Sequence, residues 1–253
     1  MTLLEISDVS KSFGGLKAVN RCAFGVEQGS LMGLIGPNGA GKSTLFNLIS
    51  GLYEPESGSI RLDDEELVGR RPADIASLGV GRTFQTPRSF PTLSCLENLL
   101  ASVPSSGEQL VPSIFGTYRA EERTAVKNAR EHLKQVGLEA RADDRADELS
   151  GGELRMLEVA RQLIRRPKIL LLDEPTAGVT PTLQTHLAET LKGLRDRGLT
   201  IIVVEHNLAF LLNLVEHVVV MVHGSVLTQG DPDAIRSDPE VVNAYLGRRG
   251  SDA

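Results

Sequence analysis

The stretch Gly36-Pro37-Asn38-Gly39-Ala40-Gly41-Lys42-Ser43 fits the phosphate-loop pattern GxxxxGK[ST]. It follows a short apolar run, Leu31-Met32-Gly33-Leu34-Ile35, and opens a helix expected over Lys42 to Ser50, with Gly51 as its C-cap. A strand that feeds a glycine loop into a helix is a building block of parallel α/β folds. An ordinary glycine-rich turn needs neither the strand, nor the helix, nor Lys42-Ser43. The chemistry follows from the backbone. Glycines let N–H groups turn inward around the β- and γ-phosphates, and the helix N-terminus adds partial positive charge. Lys42 supplies a full charge, the Ser43 hydroxyl suits Mg²⁺, and Thr44 ends the phosphate-binding stretch.

The α/β alternation returns late in the chain. Ile169 to Leu172 and Thr200 to Val204 are continuous apolar runs of strand length, as in parallel strands buried on both faces. Val218 to Val222 reads as a further buried strand. Between the first two, Thr180 and Pro181 give an N-cap and a first-turn proline, and Gly198 closes the helix. Near the start, Leu3 to Phe13 alternates and reads as an edge strand, and Gly58 to Asp63 as part of a hairpin. Val80 to Gln85 is another short strand, and Pro239 to Tyr245 a C-terminal helix.

The middle has no strand signal. Ser94 and Glu97 form a capping-box pattern, Pro104 to Pro112 reads as loop, and Val126, Ala129, Leu133 and Val136 recur at helical spacing up to Gly137. In Leu149-Ser150-Gly151-Gly152-Glu153, Ser150 and Glu153 form a second capping box ahead of Leu154, Leu157 and Ile164. Ser150, Gly151 and Gly152 are therefore a helix N-terminus with bare amides, a second place for an anion. Asp173 and Glu174 end a buried strand, at the sheet edge where open α/β folds bind ligands. Asp173 suits Mg²⁺ through water. Glu174 suits a general base, a role typically worth about 10²–10⁴ in rate.

Composition narrows the class. The apolar share of 41% supports a sizeable core, while a net charge of −6 argues against a nucleic-acid partner. Cys22 and Cys95 stand alone, which suits a reducing compartment and gives no metal signal. No apolar run approaches the roughly 18–20 residues that span a bilayer. Met1 to Asp8 lacks a basic region and carries Glu5 and Asp8, so no signal peptide and a cytoplasmic chain are expected.

The order phosphate loop, Leu149-Ser150-Gly151-Gly152-Glu153, Asp173-Glu174 resembles the ATP-binding-cassette (ABC) ATPases, from Phe13 to Tyr245. The resemblance implies an α/β P-loop NTPase (RecA-like) core with an N-terminal antiparallel β subdomain and an inserted α-helical subdomain. In this chain the core with its β subdomain would be 1–86 and 161–231. The helical subdomain with the signature would be 87–160, and a helical tail 232–253. ATP and Mg²⁺ are the implied ligands. Gln85, after Arg82-Thr83-Phe84, resembles the glutamine loop that contacts Mg²⁺ and water and communicates with a membrane partner. His206 resembles the switch histidine at the γ-phosphate. Phe13 stands where the family stacks an aromatic ring on adenine; the other reading is a core strand residue. Ser150, Gly151 and Gly152 would close in trans on ATP held by residues 36–44 of a second ABC ATPase, identical or not. Thr180 departs from the aspartate usual in the family, keeping the N-cap but losing the charge.

Phe13-Gly14-Gly15-Leu16-Lys17-Ala18-Val19, Gly33 to Leu48, Arg82 to Gln85, Val204-Glu205-His206-Asn207 and Asp238 to Gly247 are similar to the ATPase subunits of branched-chain (hydrophobic) amino-acid importers. That branch implies permease subunits, an extracytoplasmic binding protein and a place on the inner face of the membrane. Related members serve urea, lipid or lipopolysaccharide. The rivals are a soluble ABC ATPase acting on DNA or ribosomes, and a regulatory nucleotide binder without hydrolysis. The first would carry long coiled-coil insertions or two cassettes, and Glu174 with His206 argue against the second. Phe90, Leu93 and Leu96, beside Pro87 and Pro91, offer either a groove for a permease helix or internal packing of the lobe.

Overall fold

The computed structural model describes residues 1–83, 88–103 and 118–246. The chain opens with β1 (Thr2–Phe13), β2 (Leu16–Glu27), β3 (Leu31–Ile35), α1 (Lys42–Ile49), β4 (Ser57–Leu62), β5 (Glu65–Glu66), α2 (Pro72–Leu78) and β6 (Val80–Arg82). Helices α3 (Cys95–Leu100), α4 (Tyr118–Gln135) and α5 (Gly151–Leu163) follow. Then come β7 (Ile169–Asp173), α6 (Pro181–Asp196), β8 (Thr200–Val204), α7 (Leu208–Leu214), β9 (His217–Val222), β10 (Ser225–Gly230), α8 (Pro232–Ser237) and α9 (Pro239–Leu246). Two compact units result. One comprises Met1–Arg82, Lys168–Pro175 and Leu191–Ala253, the other Thr83–Pro167 and Thr176–Thr190.

The first unit holds two sheets. A four-stranded antiparallel sheet has the order β2-β1-β4-β5, and a six-stranded sheet the order β10-β9-β3-β8-β7-β6. The latter is parallel from β9 to β6, with β10 added antiparallel at one edge. β3, β7 and β8 are buried at every position. Their alternate residues serve two faces. Met32, Leu34, Ile169, Leu171, Ile202 and Val204 join one core with Leu45, Phe46 and Ile49 of α1 and the inward side chains of the antiparallel sheet. On the other face α7 presses so closely that a Cβ at Gly33 would stand 3.0 Å from Leu211 Cδ2. Coverage on both sides is why these strands read as unbroken apolar runs rather than alternations.

β1 corrects an expectation. Its alternating pattern suggests an edge strand, yet it lies inside its sheet, paired with β2 on one side and β4 on the other. Alternation reports that one face of a strand is buried. It carries no count of hydrogen-bonded neighbours.

The second unit is helical over its described residues. Ser94 caps α3 by accepting from the Glu97 N–H at 3.2 Å, while the Glu97 carboxylate accepts from the Ser94 N–H at 2.7 Å. α4 buries Ala129 and Leu133, with Val136 buried just beyond its end, and Gly137 turns the chain at φ 76°. Asn98, fully buried, ties down the preceding loop: its Oδ1 accepts from the Phe90 N–H, and its Nδ2 donates to the carbonyls of Phe90, Leu93 and Ser94 at 3.0–3.1 Å. The loop expected over Pro104 to Pro112 lies outside the described residues.

Asn98→Ala would strand the loop's polar groups beside a buried cavity. An unsatisfied buried group costs about 1–3 kcal/mol. Equilibrium denaturation of Asn98→Ala should show a loss of at least that size; an unchanged midpoint would show that the loop holds without Asn98.

Candidate active site

β3, β8 and β7 are neighbours, and their register pairs Leu34 with Val204 and Val204 with Asp173. Three parallel strands therefore end in one row, and the segments that follow them leave the sheet along the same edge. Those segments are the phosphate loop, Glu174, and Glu205-His206.

The loop from Gly36 to Gly41 is closely backed by other chain. Gly36 has φ 150° and Gly41 φ 101°, where a Cβ would stand 2.0 Å from the Met221 carbonyl oxygen and 2.2 Å from that of Ala18. No side chain fits at either place. Asn38, Gly39 and Ser43 are exposed, Pro37 and Thr44 half-buried, and Ala40 buried. Lys42 folds back under the loop, its Nζ donating to the carbonyl oxygens of Gly36 at 2.6 Å and Pro37 at 3.2 Å. α1 begins with no acidic residue in its first turn and no side-chain cap. Its positive end and the Lys42 ammonium thus add in one place, a donor set matched to polyphosphate oxygens.

Asp173 is buried at the end of β7. Burial pushes its carboxyl above the ordinary value. The Arg82 guanidinium pulls it back, Glu174 pushes it further up, and Lys42 and His206 pull it down. These groups share one electrostatic neighbourhood. Among the described residues no three of His, Cys, Asp and Glu gather into a closed metal cage. A carboxylate and a serine hydroxyl beside a phosphate site nevertheless suit Mg²⁺, which takes few protein ligands and keeps water and phosphate oxygens.

Glu174 stands at φ 49°, a left-handed conformation unfavourable for a residue with a side chain. Its N–H donates to the Val204 carbonyl at 2.9 Å, which turns the chain at the strand end. Glu174 Oε1 lies 2.6 Å from His206 Nε2. His206 is itself held on a short turn. The buried Glu205 carboxylate accepts from the N–H groups of His206 and Asn207, and Asn207 caps α7 through the Phe210 N–H at 3.1 Å. The structure thus brings Lys42, Asp173, Glu174 and His206 to one sheet edge.

Arg82 is a member of this site that the motifs do not single out. From the end of β6 its guanidinium donates to Asn47 Oδ1, on the last turn of α1, and to Ser50 Oγ, at its C-cap, both at 2.7 Å. It also lies 3.7 Å from Asp173 Oδ2 and stacks 5.8 Å from the Phe46 ring centroid. One nearly buried cation so ties the helix of the phosphate loop to the strand carrying Asp173. The signal available in the sequence is a charge closing a strand that must lie beside β7.

Phe13 is not a core residue: it is 44% exposed, at the end of β1. Ser150, Gly151 and Gly152 belong to the second unit. There Ser150 caps α5, accepting from the Glu153 N–H at 3.3 Å, and a Cβ at Gly152 would stand 2.4 Å from Leu183 Cδ1. Thr180 immediately precedes α6, its carbonyl accepting from the Gln184 N–H at 2.9 Å. Gln85 lies outside the described residues.

A phosphate loop on a parallel sheet, with a carboxylate pair and a histidine along the same edge, defines a P-loop nucleotide-binding protein. Comparison with known proteins places it further. A family model of the ABC transporter matches residues 19–177, and one of the branched-chain amino acid ATP-binding cassette transporter matches residues 225–250. The probable branched-chain amino acid transport ATP-binding protein LivG of Archaeoglobus fulgidus is 39% identical over 252 residues, covering 100% of this chain and 98% of the relative. The ADP conformation of an ATP-binding cassette of an ABC transporter superposes with a TM-score of 0.86 at 34% identity, over 98% of this chain and 99% of the other. A dimeric structure of a bacterial ABC transporter cassette superposes at 0.75 with 25% identity, over 91% and 99%. The chain belongs to the ABC transporter ATP-binding cassettes, in the branch of the branched-chain amino-acid transport ATP-binding proteins. It is an ATP-binding, ATP-hydrolysing subunit of that family.

Arg82→Met fills similar space without the charge. Asp173 then loses the guanidinium, and α1 loses its tie to β6. Breaking a buried ion pair typically costs about 3–5 kcal/mol, and urea unfolding should show a loss near the lower figure. A stability equal to that of the parent chain would remove Arg82 from the account.

Proposed function

We propose that this chain drives import of branched-chain or other hydrophobic amino acids by hydrolysing ATP at the sheet edge formed by β3, β8 and β7. The observation that carries the substrate class is the match of the tail, residues 225–250, to the branched-chain cassette model, joined to full-length similarity to a branched-chain transport protein. Residues 36–44 hold the phosphates of ATP, with Lys42 on their oxygens. Phe13 stacks on adenine. Asp173, Ser43 and Gln85 are the residues that would hold Mg²⁺, which neutralises phosphate charge when bound.

The chemical step belongs to Glu174. Its carboxylate takes a proton from water as the water oxygen bonds to the γ-phosphorus. The bond from that phosphorus to the β–γ bridging oxygen breaks, and ADP and phosphate result. His206, 2.6 Å from the Glu174 carboxylate, orients that base and reaches the γ-phosphate. Gln85 positions the water.

Ser150, Gly151 and Gly152 act on the ATP of a second cassette, so that two chains, identical or not, complete each other's sites. No described helix is long and apolar enough to cross a membrane. As its relatives are transport ATP-binding proteins, the chain works against integral-membrane permease subunits, on the inner face of the cell membrane, with an extracytoplasmic binding protein delivering the substrate. The docking surface is the loop before α3. Phe90 is 48% exposed there, with the Arg161 guanidinium 5.3 Å from its ring centroid, and Asn98 holds the backbone beneath it. An exposed ring on a loop tied down by Asn98 suits a short permease helix.

Glu174→Gln keeps the shape of the side chain and removes the base. ATP binding should persist, turnover should fall by about 10²–10⁴, and light scattering should find an ATP-bound dimer. Hydrolysis at the parent rate would show that Glu174 is not the base.

A further inference from the structure

Aromatic residues make up only 4% of this chain, yet two of them meet in the open. Phe13 is 44% and Tyr53 41% exposed; their ring centroids lie 5.2 Å apart with the planes at 67°. Leu16, the register partner of Phe13, and Leu52, beside Tyr53, are exposed as well. Apolar groups gathered at one exposed corner usually mark a surface that something covers.

The chain builds this corner with care. The N–H groups of Leu52 and Tyr53 both donate to the Asn47 carbonyl, at 2.9 and 3.1 Å, on the last turn of α1. Three residues on, the Glu56 N–H donates to the Ser10 carbonyl at 2.8 Å. The Glu56 carboxylate accepts from the N–H and the hydroxyl of Ser12, at 3.1 and 3.0 Å. The segment 52–56 is therefore clipped at one end to the helix of the phosphate loop. At the other it is clipped to β1, one residue before Phe13. Lys11 Nζ lies 5.6 Å over the Phe13 ring, drawing on one of its faces. With the edge-to-face contact of Tyr53, the Phe13 ring has two neighbours that limit its rotation.

We propose that Tyr53 is a positioning residue for base recognition. Its ring, packed at a steep angle on Phe13, holds a flat face of Phe13 toward the purine base of a nucleotide whose phosphates sit on residues 36–44. The proposal rests on the reading of Phe13 as the base-stacking ring. Tyr53 contributes through its ring and not its hydroxyl. The same clip relays the position of α1, and so of the phosphate loop, to the base site. Base and phosphates are thereby held at a matched separation.

Calorimetric titration with ADP and with inorganic pyrophosphate tests this, since only ADP carries the base. An edge-to-face aromatic pair is worth about a two- to tenfold change in an equilibrium constant. Tyr53→Leu should weaken ADP by about that factor and leave pyrophosphate unchanged. Tyr53→Phe should bind ADP as the parent chain does, and Phe13→Leu should weaken ADP at least as much as Tyr53→Leu. If Tyr53→Leu binds ADP normally while Phe13→Leu does not, the proposal is wrong and the stacking role of Phe13 stands. If neither change affects ADP, the stacking role itself is wrong. Equal losses for ADP and pyrophosphate in Tyr53→Leu would show that Tyr53 supports the phosphate loop, again overturning the proposal.

Discussion

Because β3, β8 and β7 run parallel and adjacent, a phosphate loop, a carboxylate pair and a histidine leave one sheet at the same edge. The phosphate loop lies more than a hundred residues before the other two in the chain. A slip of one residue in either pairing would send the alternate side chains to the wrong face. Burial on both faces prevents it, because every position in the three strands is committed to a core. The hydrophobic effect thus sets the geometry of the charged groups, although none of those groups belongs to the core cluster.

The charges at that edge are held under tension of a defined kind. Lys42 and Asp173 are buried and Arg82 nearly so, and desolvation opposes each. They persist because each has partners placed by backbone: the carbonyls of Gly36 and Pro37 for Lys42, and α1 with Asp173 for Arg82. Glu174 adds a backbone in the left-handed region, a conformation that surrounding structure must enforce. Here the Val204 carbonyl enforces it.

Local signals carried much of this into view. The unbroken apolar runs announced β3, β7 and β8, and the capping boxes at Ser94 and Ser150 stand as their residue patterns indicate. The glycine loop was legible because strand, glycines, lysine and helix occur in one contiguous stretch. What escaped was long-range. The ties of Arg82 to Asn47, Tyr53 to Phe13, and Glu56 to Ser12 join segments 35 to 44 residues apart. No periodicity within a window records them. The interior place of β1 escaped for the same reason, since pairing partners are a property of the sheet and not of the strand.

The proposed account divides phosphate chemistry between the two units of one chain: the loop and carboxylates in the first, the Ser150 end of α5 in the second. Its central claim is that each site is completed by a second cassette, identical or not. The most direct measurement mixes two inactive variants, Lys42→Ala and Ser150→Arg, and follows ATP turnover. A mixed dimer holds one site with both elements intact and one with both damaged, so the mixture should recover part of the activity that neither variant has alone. A mixture as inactive as its components, or a parent chain that hydrolyses at full rate per molecule at any dilution, would contradict the claim.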